Sequence, residues 1–260
     1  MKYYRILKAY TRVSLSRMVS YRADILFRFA GIIPVFLILI FLFSIPFQYQ
    51  SELAGWKKNE ILVVLGMYYI AEGVAWSTFK SGIGTLERMV SEGTFDCILI
   101  KPVSPAYVLS LIDIDSTRIA DIVVGSFLIV WVLMQSSIIP GVWEIAGTLV
   151  SFVAGLAVSY SLYLSVNTIV FWTTHASVRH VLQPVYGASR YPAEIWGEAI
   201  GRVLVWMIPL GLIAGVPAGM LVGKLGIEWA FYATIIAMVW IVGARLFWRT
   251  GLKLYVGVGS

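Results

Sequence analysis

Glu72 is the one charged residue in the apolar run from Ile61 to Phe79. A carboxylate in such a run costs a few kcal/mol unless it is paired, hydrated or protonated. It therefore marks either a polar pathway or a structural pair with a polar group on a neighbouring helix. Its chemistry is that of a buried counter-charge, because no catalytic signature surrounds it. His175 and His180 stand five apart with no partner cysteine, a spacing that suits an interfacial or hydrogen-bonding role better than metal ligation. Neither H-E-x-x-H nor G-x-S-x-G occurs. The nearest approach to a phosphate loop is Gly219 to Lys224, where the glycine spacing is wrong and Leu225 replaces the hydroxyl residue. The sequence thus assigns no catalytic, metal or cofactor residues, and the chain is not expected to be an enzyme by itself.

Two further patterns could recognise something. The stretch from Lys80 to Arg118 mixes charges with apolar residues and holds Pro102 and Pro105. Within it the spacing predicts a short amphipathic helix over about Thr85 to Ser91, broken at Gly93. An exposed helix of that kind suits docking in a partner's groove, and the stretch is long for a plain connection. Later, Gly197 and Gly201, then Gly211, Gly215, Gly219 and Gly223, recur every four residues. That spacing lets backbones approach closely, while Pro209 and Pro217 break the helix into short pieces. A bent or re-entrant helical hairpin explains both features, and so does a kinked ordinary span.

The elements that carry these residues follow from composition. The chain has 260 residues, 59% hydrophobic and 13% charged, with a mean hydropathy of +0.84. A soluble domain carries nearly twice that charged fraction. About 20 apolar residues make one spanning helix, so the expected fold is an all-α integral membrane protein of six transmembrane helices. The expected spans are 25–47, 60–79, 119–139, 144–172, 173–192 and 227–247. Residues 1–24 read as an amphipathic helix lying in the membrane interface, with Arg5, Lys8 and Arg12 on one side and Tyr3, Leu7, Tyr10 and Met18 on the other. Residues 25–260 form a single transmembrane domain. Cys97 is the sole cysteine, so no intrachain disulfide can form.

Charge sets the orientation. The net charge of +6 could suggest nucleic acid, but the basic residues cluster beside apolar spans, where they act as topology signals. With the N-terminus inside and 203–223 as the fifth span, Lys and Arg divide 17 inside to 3 outside. With 173–192 as the fifth span and 195–222 dipping into the outer leaflet and returning, the division is 15 to 5. Both place the two termini in the cytoplasm.

The segment Gly93-Thr94-Phe95-Asp96-Cys97-Ile98-Leu99-Ile100-Lys101-Pro102-Val103-Ser104-Pro105 resembles the G-T-[LF]-D-x-L-L-x-K-P-[VI]-x-P pattern that follows the second span in one branch of type-2 ATP-binding-cassette (ABC) exporter permeases. Tyr191-Pro192-Ala193-Glu194-Ile195-Trp196 is similar to that branch's Y-P-x-x-I-[YW] segment. Arg179, His180 and Arg190 depart from it, standing where a cleaner apolar run would be expected. The resemblance implies a cell-membrane transport protein of the bacterial or archaeal plasma (inner) membrane, coupled to two copies of a separate ABC ATPase subunit. It also implies a second permease, identical or related, and ATP with Mg on the ATPase alone. Residues 1–24 would be a connecting helix, and about 83–92 the coupling helix within the segment 80–118. Glu87, Arg88, Glu92 and Asp96 would form the ATPase contact, with Phe95 as its apolar anchor. The region 195–222 would be an outer re-entrant hairpin packed through Gly211, Gly215, Pro217 and Gly219.

A self-contained secondary transporter or channel is the rival class, kept open by Glu72 and the prolines, although no internal repeat supports it. A membrane enzyme or scaffold has less behind it. The transported substrate is not readable from the sequence.

Overall fold

The structure, a computed structural model, describes residues 22–136, 138–173 and 184–255. Residues 1–21 of the expected interfacial helix over 1–24 and much of the expected span 173–192 lie outside the described residues. Helix α1 (Arg22–Ser44) carries Pro34 in its interior. A two-stranded hairpin follows, β1 (Glu52–Leu53) against β2 (Trp56–Lys57). Ala54 and Gly55, both at positive φ, make the tight turn that such a hairpin needs.

Helix α2 (Lys58–Ala75) starts where Glu60 turns back to accept a hydrogen bond from the Lys57 backbone N–H, 3.0 Å away. That satisfies one of the donors a helix start leaves over. A π-turn at Trp76–Lys80 leads into α3 (Ser81–Ile83) and α4 (Leu86–Ser91). The second apolar unit therefore runs continuously from Lys58 to Ser91, well past the expected end at 79. It can continue through Lys80 because Glu72 neutralises that residue. Short helices α5 (Asp96–Leu99) and α6 (Pro105–Ile112) follow, and Pro105 stands at the start of α6, where its missing N–H is no loss.

Then come α7 (Ile119–Ser136), α8 (Val142–Thr168), α9 (Gly197–Arg202), α10 (Gly215–Leu221) and α11 (Glu228–Leu254). A π-turn at Val203–Met207 extends α9. Among the described residues, five helical units are long and apolar enough to cross a bilayer: Leu26–Gln48, Lys58–Ser91, Ser116–Ser136, Val142–Phe171 and Glu228–Leu254. A sixth apolar unit, Ala193–Met207 with Leu210–Leu221, is bent by 75°. The protein is an all-α membrane fold in which the small hairpin is the sole described sheet.

Two cores hold it together. One gathers α1, α2 and α7 around Phe36, Leu65 and Leu128; the other gathers α8, α11 and the short helices around Val158, Leu162 and Phe95. Helix α10 lies between them, with Ala218 and the preceding Ala214 facing the first core and Val216 and Met220 the second. Backbones approach most closely where side chains are missing. Gly66 lies against the Gly125 carbonyl across α2 and α7, and Gly155 on α8 lies against the Leu212 carbonyl. The outward faces are apolar and exposed, as at Phe127, Leu149 and Phe231. Such bands meet acyl chains rather than water.

Candidate functional site

Three features carry the residues singled out by sequence. The first is the end of the second apolar unit. Helix α4 buries Leu86 and Val90, while Arg88 and Glu92 are exposed and Glu87 is half-buried. Gly93 breaks the helix at φ +70°, a backbone state that suits glycine. Phe95 does not face outward as an anchor. It is fully buried, with ring centroids 5.6 Å from Phe171, 5.2 Å from Tyr255 and 6.5 Å from Trp248. The inward turn follows from hydrophobicity: a large ring beside three aromatic neighbours gains more by burial than by display. Asp96 is half-buried beside Tyr255, whose hydroxyl is pushed up to about 12 by burial and by that carboxylate. The apolar side chain that does project is Ile100, 83% exposed. Its place in the Ile98-Leu99-Ile100 run gave no sequence signal separating it from its buried neighbour Ile98.

This end piece is tied rigidly to the bundle. Gly82 lies against the Leu109 carbonyl of α6. Ser81 Oγ donates to Asp113 Oδ2 at 2.6 Å. Both contacts fix α3, the turn that joins α2 to α4, against α6 and the residue that follows it.

The second feature is a cavity of about 460 Å³ beside Glu72. It sits where α1 and α7 begin and where α2 and α8 end. Glu72 Oε1 accepts from Lys80 Nζ at 2.5 Å, and Glu72 Oε2 accepts from Trp76 Nε1 at 3.1 Å. The Lys80 ammonium also sits 3.8 Å from the Tyr186 ring centroid, within cation–π range. Arg28 donates to both oxygens of Asp121 at 2.9 Å. Arg118 reaches Asp115 at 3.1 Å and Asp121 at 3.6 Å. Arg190 lies over the Tyr68 ring, 5.0 Å from its centroid. Sequence reasoning found Glu72 alone. The other charges sit at helix ends or in loops, where they read as topology signals.

The third feature is the bent unit. Glu194 Oε2 accepts from Trp56 Nε1 at 3.2 Å. Lys224 Nζ meets the Gly55 carbonyl and, at 3.3 Å, Glu60 Oε2, and lies 4.8 Å over the Trp56 ring. Both ends of the segment 194–224 are thus fixed to one loop, so the chain enters and leaves at the same end of the bundle. In between, Leu212 reaches Gly155, midway along α8. Gly211, Gly215, Pro217 and Gly219 are all buried. Gly219 packs on Trp56 and Leu225, and the Pro217 carbonyl accepts from Thr148 at 3.3 Å. Tyr191 stacks on Phe43 with centroids 4.6 Å apart. No group of three or more His, Cys, Asp or Glu able to hold a metal occurs among the described residues.

Compared with known families, residues 32–259 match the family described as ABC-2 family transporter protein. No curated protein and no solved structure matches the chain.

Proposed function

This chain belongs to the ABC-2 family of transporter proteins and is a multi-pass membrane permease; from that premise we propose that it is the membrane-spanning subunit of an ABC-type exporter. Two such subunits, identical or related, enclose the pathway, closed twofold assembly being the common solution. Two copies of a separate ATPase subunit bind ATP and Mg, and this chain hydrolyses no ATP itself. It resides in a bacterial or archaeal plasma membrane with both termini in the cytoplasm, which puts α4 inside and the bent unit in the outer leaflet. The 17-to-3 and 15-to-5 divisions of basic residues support that orientation.

The observation that carries the reading is α4. A short helix ends an apolar unit long enough to span and presents Arg88 and Glu92 outward, and the α3 turn that precedes it is packed on α6 through Gly82. Glu87, Arg88 and Glu92 form the polar contact to the ATPase, with Asp96 at its edge and Ile100 as the apolar contact. Phe95 serves the contact from behind, fixing the segment to Phe171 and Trp248. Closure of the ATPase pair pushes on α4, and the bundle answers with a rigid-body tilt.

The test is a double charge reversal, E87K with R88E, in the assembled transporter. Substrate-stimulated ATPase activity is expected to be lost while membrane insertion and the amount of folded protein are unchanged. Full stimulated activity in that variant would refute the contact.

A further inference from the structure

We propose that the cavity beside Glu72 holds the anionic head of one membrane amphiphile, with Arg190 as its counter-ion and the acyl chain leaving past Phe27 and Val35. The charges lining it do not balance internally. Glu72 is taken by Lys80, Asp121 is shared by Arg28 and Arg118, and Asp115 takes Arg118 as well. Arg190 forms no salt bridge among the described residues. It bonds the Tyr68 hydroxyl and lies over its ring, feels Glu72 only from beyond ion-pair distance while Lys80 holds that carboxylate, and its Nε is buried with no hydrogen-bond partner. The chain has 14 Asp and Glu in all, and every one lies within the described residues. No other side chain of this protein can therefore supply the missing carboxylate.

A half-buried guanidinium without a carboxylate, its Nε enclosed, is costly, and phosphate is the anion its planar fork fits best. The volume, about 460 Å³, suits a headgroup and exceeds the need of a few waters. The mouth has apolar walls. Phe27 and Val35 line it at 76% and 52% exposure, and Gly31 between them leaves open space. A ligand entering there passes from lipid, not from water, so it carries an apolar chain. This inference deepens the permease reading, because it names what the cavity beside the spanning helices accepts. Its test needs no ATPase, so failure of binding and failure of coupling are told apart.

The purified chain is reconstituted with equal phosphatidylglycerol and phosphatidylcholine, and lipids retained per chain are counted by native mass spectrometry. The expected result is one phosphatidylglycerol retained at least tenfold over phosphatidylcholine. R190Q should lower that preference about tenfold, while R190K, which keeps the charge but not the planar fork, should lower it less. Gly31→Phe, a substitution into open space on an exposed helix face, fills the mouth and should remove the retained lipid from a chain that stays monodisperse. Equal retention of both lipids, or unchanged preference in R190Q and Gly31→Phe, would overturn the proposal. So would displacement of the lipid by millimolar inorganic phosphate, which would make the site one for a free anion.

Discussion

Lys80 reaches back eight residues to Glu72, and the two side chains meet at 2.5 Å although both stand on one helical unit. In a regular α-helix residues eight apart point in different directions. The π-turn at Trp76–Lys80 inserts one residue's worth of extra winding. Lys80 then takes the place a residue seven positions on would hold, within about 20° of two full turns. The turn is what lets an acid and a base neutralise each other inside an apolar unit.

The pair is therefore expected to be strongly coupled. Lys80 is 2% exposed, so K80M should leave Glu72 as an uncompensated charge and lower stability by about 3–5 kcal/mol. The double variant E72Q/K80M should regain most of that loss. Thermal unfolding in detergent measures both, and equal destabilisation of the single and double variants would contradict the coupling.

Replacing Trp56 by Phe removes the donor that Glu194 accepts while keeping most of the buried ring. The expected loss is about 1 kcal/mol. Hydrogen exchange should rise mainly over 193–222, because Trp56 ties both ends of that segment. A uniform rise across all helices would mean that Trp56 serves the whole core rather than the bent unit.

Sidedness can be read by labelling. The chain's single cysteine, Cys97, is exposed, so the background is C97S. In intact cells a membrane-impermeant maleimide should label K57C and K224C but not R88C or R249C. E198C, exposed at the entry of the bent unit, should label as well; an unlabelled E198C beside a labelled K224C would show that the bent unit crosses the membrane instead of returning.

Glycine positions should separate by what faces them. Gly82→Ala and Gly155→Ala place a methyl against the Leu109 and Leu212 carbonyls, which are backbone atoms and cannot swing away. Each should cost about 1–3 kcal/mol. Gly31→Ala meets nothing within 4 Å and should be neutral or slightly stabilising, since alanine favours a helix. Relative melting temperatures of the three proteins test the ordering.

Phe95→Ala removes a ring from contact with Phe171, Trp248 and Tyr255. A loss of about 3–5 kcal/mol is expected. ATPase coupling should fall with it, because the segment carrying Arg88 and Glu92 loses its seat. Normal stability with lost coupling would instead place Phe95 at the partner surface.

The helical membrane fold was legible because bilayer crossing imposes a length and an apolarity that a linear string displays. The spans 25–47, 119–139 and 144–172 differ from the observed helical units by a few residues at either end. The second unit was cut short at 79 because Lys80 reads as a charge in isolation, and its neutralising partner lies two turns back. The break at Gly93 could be read, since it depends on one residue's backbone freedom. The inward turn of Phe95 could not, because it depends on rings from Phe171, Trp248 and Tyr255, far apart in sequence.

What the residues alone settled was thus local or additive: hydropathy over a window, charge beside a span, a helix and its breaker, and the patterns resembling an ABC permease. Whether 203–223 crosses or returns was open between two charge divisions of similar quality. The hold of Trp56 on Glu194 and Lys224 at one end of the bundle joins residues far apart in sequence, and no charge count contains it. The cavity likewise exists only because Arg28, Glu72, Asp121 and Arg190 converge from separate elements. Hydropathy sums over neighbours in the chain, whereas pairing and enclosure depend on neighbours in space, and those are fixed only once the helices have packed.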